Sequence, residues 1–235
     1  MLTPPLTAEQ IFLRAQAAWT SRAQPAYVAF TLPCDATFLS PSCAPDAHLL
    51  FIVRMSDGRT YAQTIAEPGA SPKILVRGAY ITGPAGAPLG FVRRLPEGTP
   101  VASPPPNLAP DPLRTIATVT AIDYAYRVRI VGQETIHGVA TTHLELTPLR
   151  EPTLYPLRDL WVASDSYEIV RLVYERPFQR TTARITYDFA QVGVSRAWTI
   201  VHIAASTPRE SVSETLNDIS FPGSEPDSLF EDSGP

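Results

Sequence analysis

The chain opens with apolar positions at helical spacing: Ile11, Phe12, Ala15, Ala18 and Trp19 share one face, while Glu9, Arg14, Gln16 and Arg22 point elsewhere. Thr7 followed three residues later by Gln10 reads as a capping box. One amphipathic helix is therefore predicted, docked by its Trp19 face. From Tyr27 onward the period changes from 3.6 to 2. Strands are predicted at 26–32, 47–55, 59–66, 73–82, 90–95, 115–122, 124–131, 139–147, 158–163, 167–175, 181–192, 196–205 and 212–220. Ser56-Asp57-Gly58 is a hairpin signal, and Gly132–Gly138 and Ala163–Ser166 read as further hairpin turns.

The alternation is clearest in the second half. Tyr124, Tyr126, Val128 and Ile130 fall on one face with Arg127 and Arg129 on the other. Ala140, Thr142, Leu144 and Leu146 oppose Thr141, His143 and Glu145, and Ala183, Ile185, Tyr187 and Phe189 oppose Arg184, Thr186 and Asp188. One dry and one wet face per strand means antiparallel sheet rather than buried parallel sheet. The fold class is thus mainly β (α+β): a large, strongly curved antiparallel sheet or an open barrel, with an N-terminal amphipathic helix.

Proline sharpens this picture. Twenty-five prolines in 235 residues exclude a helical bundle, and nine of them lie between Pro84 and Pro112. That segment cannot be central strand and is either a functional flap or a mobile linker. A two-domain split there is an alternative, but the alternating strands on both sides read as halves of one sheet. This gives one domain spanning 1–221, with 84–112 as a Pro-rich insertion and an acidic C-terminal tail at 222–235.

Charge removes some partners. Nineteen basic and 23 acidic residues give a net charge of −4 without a basic stripe, so nucleic acid is not an expected partner. No run of 18 apolar residues exists to form a transmembrane helix. Met1-Leu2-Thr3-Pro4-Pro5 lacks the features of a signal peptide. The chain is cytoplasmic if that N-terminus is native, and a trimmed form if the protein is exported. Cys34 and Cys43 either close a small disulfide loop, implying an oxidising compartment such as a periplasm, or remain two unpaired thiols. Metal binding by this pair would need two further ligands that the surrounding sequence lacks.

Candidate chemistry is sparse. His48, His137, His143 and His202 form no paired metal motif, and no nucleophile elbow or phosphate-cradling glycine loop is present. Arg127 and Arg129 are expected to face Glu145 across adjacent strands; Glu134 and Glu145 could serve as acid and base only if a cleft gathered them. No catalytic residue, metal or cofactor is assigned. Aromatic surface is plentiful instead, in Trp19, Phe30, Phe51, Tyr126, Trp161, Tyr187, Phe189 and Trp198. A concave sheet face must be covered by its own helix, by a second sheet or by a ligand.

The opening Thr7-Ala8-Glu9-Gln10-Ile11 helix with Trp19 and the following Tyr27–Leu32 strand resemble the start of the LolA-like superfamily of periplasmic lipoprotein-sorting proteins. Tyr126–Glu134, then Gly138 and His143-Leu144-Glu145-Leu146-Thr147-Pro148, look like that family's middle hairpin. Leu160-Trp161-Val162-Ala163 before Tyr167–Arg171, and Asp218-Ile219-Ser220-Phe221 before Pro226-Asp227-Ser228-Leu229-Phe230, resemble its later segments. The resemblance implies an unclosed antiparallel barrel with a helical lid over an apolar cavity that receives acyl chains.

The expected function is accordingly a non-enzymatic envelope protein that binds a lipid, fatty acyl chain or lipoprotein. Phe30, Phe51, Tyr126, Leu144, Trp161, Tyr187 and Phe189 are the expected cavity lining. The alternatives are a protein-interaction or sensor module whose partner is an envelope protein, and an enzyme built on the same fold.

Overall fold

The computed structural model describes residues 5–33, 48–56, 59–65, 74–80, 125–152, 155–178, 181–194, 196–209 and 211–230. The expected strands at 90–95 and 115–122, the 84–112 flap, the Asp57-Gly58 turn and both cysteines lie outside these residues. Helix α1 spans Ala8–Ser21, and its N-terminus is capped as the sequence predicts: the Thr7 side chain accepts from the Gln10 amide, while the Gln10 side chain accepts from the Thr7 amide. Ile11, Phe12, Ala15 and Trp19 are its buried residues.

All paired strands described are antiparallel, as the alternation requires. They are β1 (Tyr27–Pro33), β2 (His48–Arg54), β3 (Arg59–Thr64), β4 (Ile74–Tyr80), β5 (Tyr126–Ile136), β6 (Val139–Pro148), β7 (Leu157–Ala163), β8 (Ile169–Phe178), β9 (Thr181–Val192), β10 (Ala197–Ser206), β11 (Ser211–Thr215) and β12 (Asn217–Ser220). They form two sheets, ordered β12-β1-β2-β3-β4 and β11-β10-β9-β8-β7-β6-β5, and neither closes on itself among the described residues. The expected single strand at 212–220 is in fact two, parted at buried Leu216, with each half in a different sheet.

The chain divides into two compact units, one made of residues 1–23, 109–190 and 205–211 and the other of 24–108, 191–204 and 212–235. In the first, α1 accompanies β5–β9. The β5–β6 hairpin turns on two residues, His137 (φ 49°) and Gly138 (φ 79°), and Ile136 pairs directly with Val139. Two successive positive φ values make the tight turn whose twist matches that of the flanking strands. The seven-residue turn expected at 132–138 is therefore mostly strand. A register shift between Ile130 and Gly132 leaves Val131 as an extra residue, and both Ile130 and Val131 are exposed there. Alternation fails at that point because a bulge places two residues opposite one.

In the second unit β1 is buried on both faces. On one face Phe30 and Phe51 are opposite neighbours, stacked with ring centroids 5.2 Å apart. The other face carries Tyr27, Ala29, Leu50, Ile52 and Tyr61, and the chain's C-terminal segment packs there through Leu229 and Phe230. A short 3-10 turn at Asp227–Leu229 shapes that segment. Fully burying the Phe230 ring contributes about 1.5–3 kcal/mol, against roughly 0–1 kcal/mol for the half-exposed Arg54–Asp227 ion pair, so the aromatic ring is the anchor.

Candidate functional site

The pairing register sorts the side chains of β5–β9 onto two faces. One face presents Tyr126, Val128, Leu144, Leu146, Leu160, Leu172, Ile185, Tyr187 and Phe189, all buried. Trp19 of α1 meets this face edge-on at Phe189, with centroids 5.5 Å apart at 76°. Phe189 in turn lies edge-on to Tyr187, whose hydroxyl is hydrogen-bonded to that of Tyr174 at 2.8 Å. Tyr126 accepts the Leu157 amide at 3.3 Å, and burial holds its phenol well above the usual tyrosine range.

Two polar contacts hold the rim of the helix. Arg22 lies over the Trp19 ring at 4.3 Å and pairs with Glu168 at 2.5 Å. Burial lowers the Arg22 guanidinium from its ordinary range, and the Glu168 carboxylate works against that shift. Arg14 donates to the Tyr167 hydroxyl at 2.7 Å. Both partners come from the β7–β8 turn, where Tyr167 takes a positive φ of 59°. That left-handed residue is what aims the ring at α1.

The opposite face is a polar ladder. His143 on β6 stacks on Trp161 of β7, with centroids 4.1 Å apart at 11°, and bonds Asp159 at 2.9 Å. The Trp161 indole donates to Glu134, and Asp159 also pairs with Arg184. Further along, Arg171 pairs with the buried carboxylate of Asp188, which His137 also meets at 2.9 Å. The hydrogen bonds that Arg171 donates to Asp188 raise the Arg171 pKa. Every carboxylate in this ladder is engaged by a cation, an imidazole or an indole. Among the described residues no three His, Cys, Asp or Glu side chains converge as a metal site.

Four of the expected lining residues therefore come together on one face: Tyr126, Leu144, Tyr187 and Phe189. Trp161 does not join them; it belongs to the polar face, stacked on His143. Phe30 and Phe51 belong to the second unit. Of the pairs expected across β5 and β6, Arg129 meets Glu145 at 2.8 Å, while Arg127 is opposite Thr147. Glu134 and Glu145 are separately engaged and form no acid–base couple. Sequence reasoning missed Arg22, Glu168, Arg14 and Tyr167, because a charged residue at a helix end looks solvated until its partner is placed.

In class, this is a mainly antiparallel β protein led by one amphipathic helix. Solved structures similar to it include a DUF1329 family protein from Desulfovibrio piger, at 14% identity and TM-score 0.41, covering 97% of this chain and 99% of that one. A putative outer membrane lipoprotein-sorting protein domain from Vibrio parahaemolyticus is similar at 11% identity and TM-score 0.41, with coverages of 95% and 97%. A LolA superfamily protein from Nitrosomonas europaea is similar at 15% identity and TM-score 0.36, covering 97% and 98%. No family model matches the chain, and no curated protein matches it in sequence. Likeness at this level of identity and TM-score assigns no ligand or activity.

Proposed function

We propose that the protein is a non-enzymatic binder of a lipid or other acylated ligand in the bacterial envelope, with α1 as the movable cover of its site. One observation carries the reading: an aliphatic and aromatic sheet face bears Trp19 of the amphipathic helix α1, whose rim is held by the Arg14–Tyr167 and Arg22–Glu168 contacts. Tyr126, Leu144, Tyr187 and Phe189 are the proposed floor of the site.

The energetics suit a reversible carrier. Ile11, Phe12 and Trp19 each give up roughly 1.5–3 kcal/mol if the helix lifts. An acyl chain of about ten methylenes returns roughly 8 kcal/mol at about 0.8 kcal/mol per CH₂. Helix and ligand are thus near-balanced competitors for one surface, so neither state traps the other.

The test is titration of delipidated protein with a fluorescent fatty acid. Saturable binding displaced by unlabelled palmitate is expected. Trp19→Ala should tighten apparent affinity about tenfold, because it weakens the competing helix rather than the floor. Absence of saturable binding in both proteins sinks the proposal.

A further inference from the structure

The second unit contains a groove already filled by its own chain. Phe230 is fully buried against Tyr27, Ala29, Ile52 and Tyr61. Its ring stacks on Tyr27 with centroids 5.8 Å apart, and the Arg54 guanidinium lies 4.9 Å from the ring centre. Arg54 also meets the Asp227 carboxylate at 2.8 Å, Arg59 donates to the Phe230 carbonyl at 3.1 Å, and the Tyr27 hydroxyl donates to the Glu225 carbonyl at 3.5 Å.

Two features distinguish this from ordinary core packing. First, among the described residues the segment meets the sheet through side chains of Tyr27, Arg54 and Arg59 and not through a strand ladder. The segment's own amides are used internally, Leu229 donating to the Pro226 carbonyl at 3.0 Å and Phe230 to that of Asp227 at 2.9 Å. Among the described residues its departure therefore breaks side-chain contacts and no strand-ladder hydrogen bond. Second, what the groove recognises is compact: an acid at one position and an aromatic three residues later on a 3-10 turn. A cation answers the acid, an aromatic–arginine pair answers the ring, and an arginine answers the last carbonyl. The approach from β12 runs through Pro222, Gly223 and Pro226, and a Cβ added at Gly223 would meet nothing within 4 Å.

We propose that this groove is a docking site for a protein segment of the form acidic-x-aliphatic-aromatic presented by a partner, and that Asp227–Phe230 occupies it in cis until such a segment displaces it. This is independent of lipid binding by the first unit. The partner's chemistry is fixed by charge complementarity to Arg54 and Arg59 and by the slot that Phe230 fills.

The test uses the full chain and a fluorescein-labelled synthetic peptide copying Phe221–Phe230. Anisotropy should show weak binding to the unaltered protein. Phe230→Ala should bind the peptide at least about tenfold more tightly, because the internal competitor is loosened. Adding Arg54→Glu to that variant should abolish binding, and a peptide with Asp227→Lys and Phe230→Ala should bind neither. A folded Phe230→Ala protein that binds no more tightly than the parent overturns the proposal. Should that variant fail to fold, amide exchange decides in the unaltered chain. Excess peptide must accelerate exchange at Leu229 and Phe230, and unchanged exchange overturns the proposal equally.

Discussion

At the scale of single residues, depth and chemistry separate two side chains that a hydropathy reading would treat alike. Leu144 is fully buried on the apolar face, whereas Trp161, though also buried, spends its surface on an imidazole and a carboxylate. Leu144→Ala should cost about 2–5 kcal/mol, since the cavity adds to the lost transfer energy. Trp161→Phe keeps a ring on His143 and loses one hydrogen bond to Glu134, whose side chain is 47% exposed and can be solvated instead. That change should cost only about 0.5–1.5 kcal/mol. Urea unfolding of the two variants checks the order; equal losses would mean that Trp161 packs as part of the apolar core. The sequence could not make this distinction, because parity along β7 is broken by a register shift near Arg158.

At the scale of elements, the helix and the hairpins differ in how they were legible. Helix α1 was readable to its cap because its signals are local: Thr7 and Gln10 stand three residues apart and the apolar stripe has one period. The β5–β6 hairpin was only half readable, because a bulge at Val131 interrupts the alternation and hides the continuation to Ile136. The single expected strand at 212–220 became β11 and β12 for a reason no period can carry, namely which neighbour each half pairs with. The cap also allows a test of the cover. Thr7→Ala removes one hydrogen bond and should cost about 1 kcal/mol of helix stability. If α1 opens on its own, amide exchange over residues 11–21 should quicken about fivefold while the sheet amides stay unchanged. Uniform acceleration across helix and sheet would instead make α1 part of the cooperative core.

At the scale of the whole molecule, binding to the folded chain must appear as stability. A fatty acid held at 100 times its dissociation constant should raise the unfolding free energy by about 2.7 kcal/mol and the melting temperature with it. The increase should be smaller for Leu144→Ala, whose side chain belongs to the proposed floor. A melting temperature that ignores ligand concentration would leave the apolar face as core alone.

The sequence by itself determined the class of the fold. A capped amphipathic stripe followed by two-residue periodicity permits little other than one helix and antiparallel strands, since each strand declares a dry and a wet face. It also showed no basic stripe and none of the familiar metal and nucleotide motifs. Only the tertiary structure decided which aromatic residues share a face, because bulges, register shifts and strand partners are non-local and change parity without changing composition. It moved Trp161 to the polar ladder, gave Arg22 and Arg14 their partners in the β7–β8 turn, and turned an acidic C-terminal stretch into a segment anchored by Phe230. Local signals travel in the chain; the choice of neighbour is settled only when distant segments compete to bury the same surface.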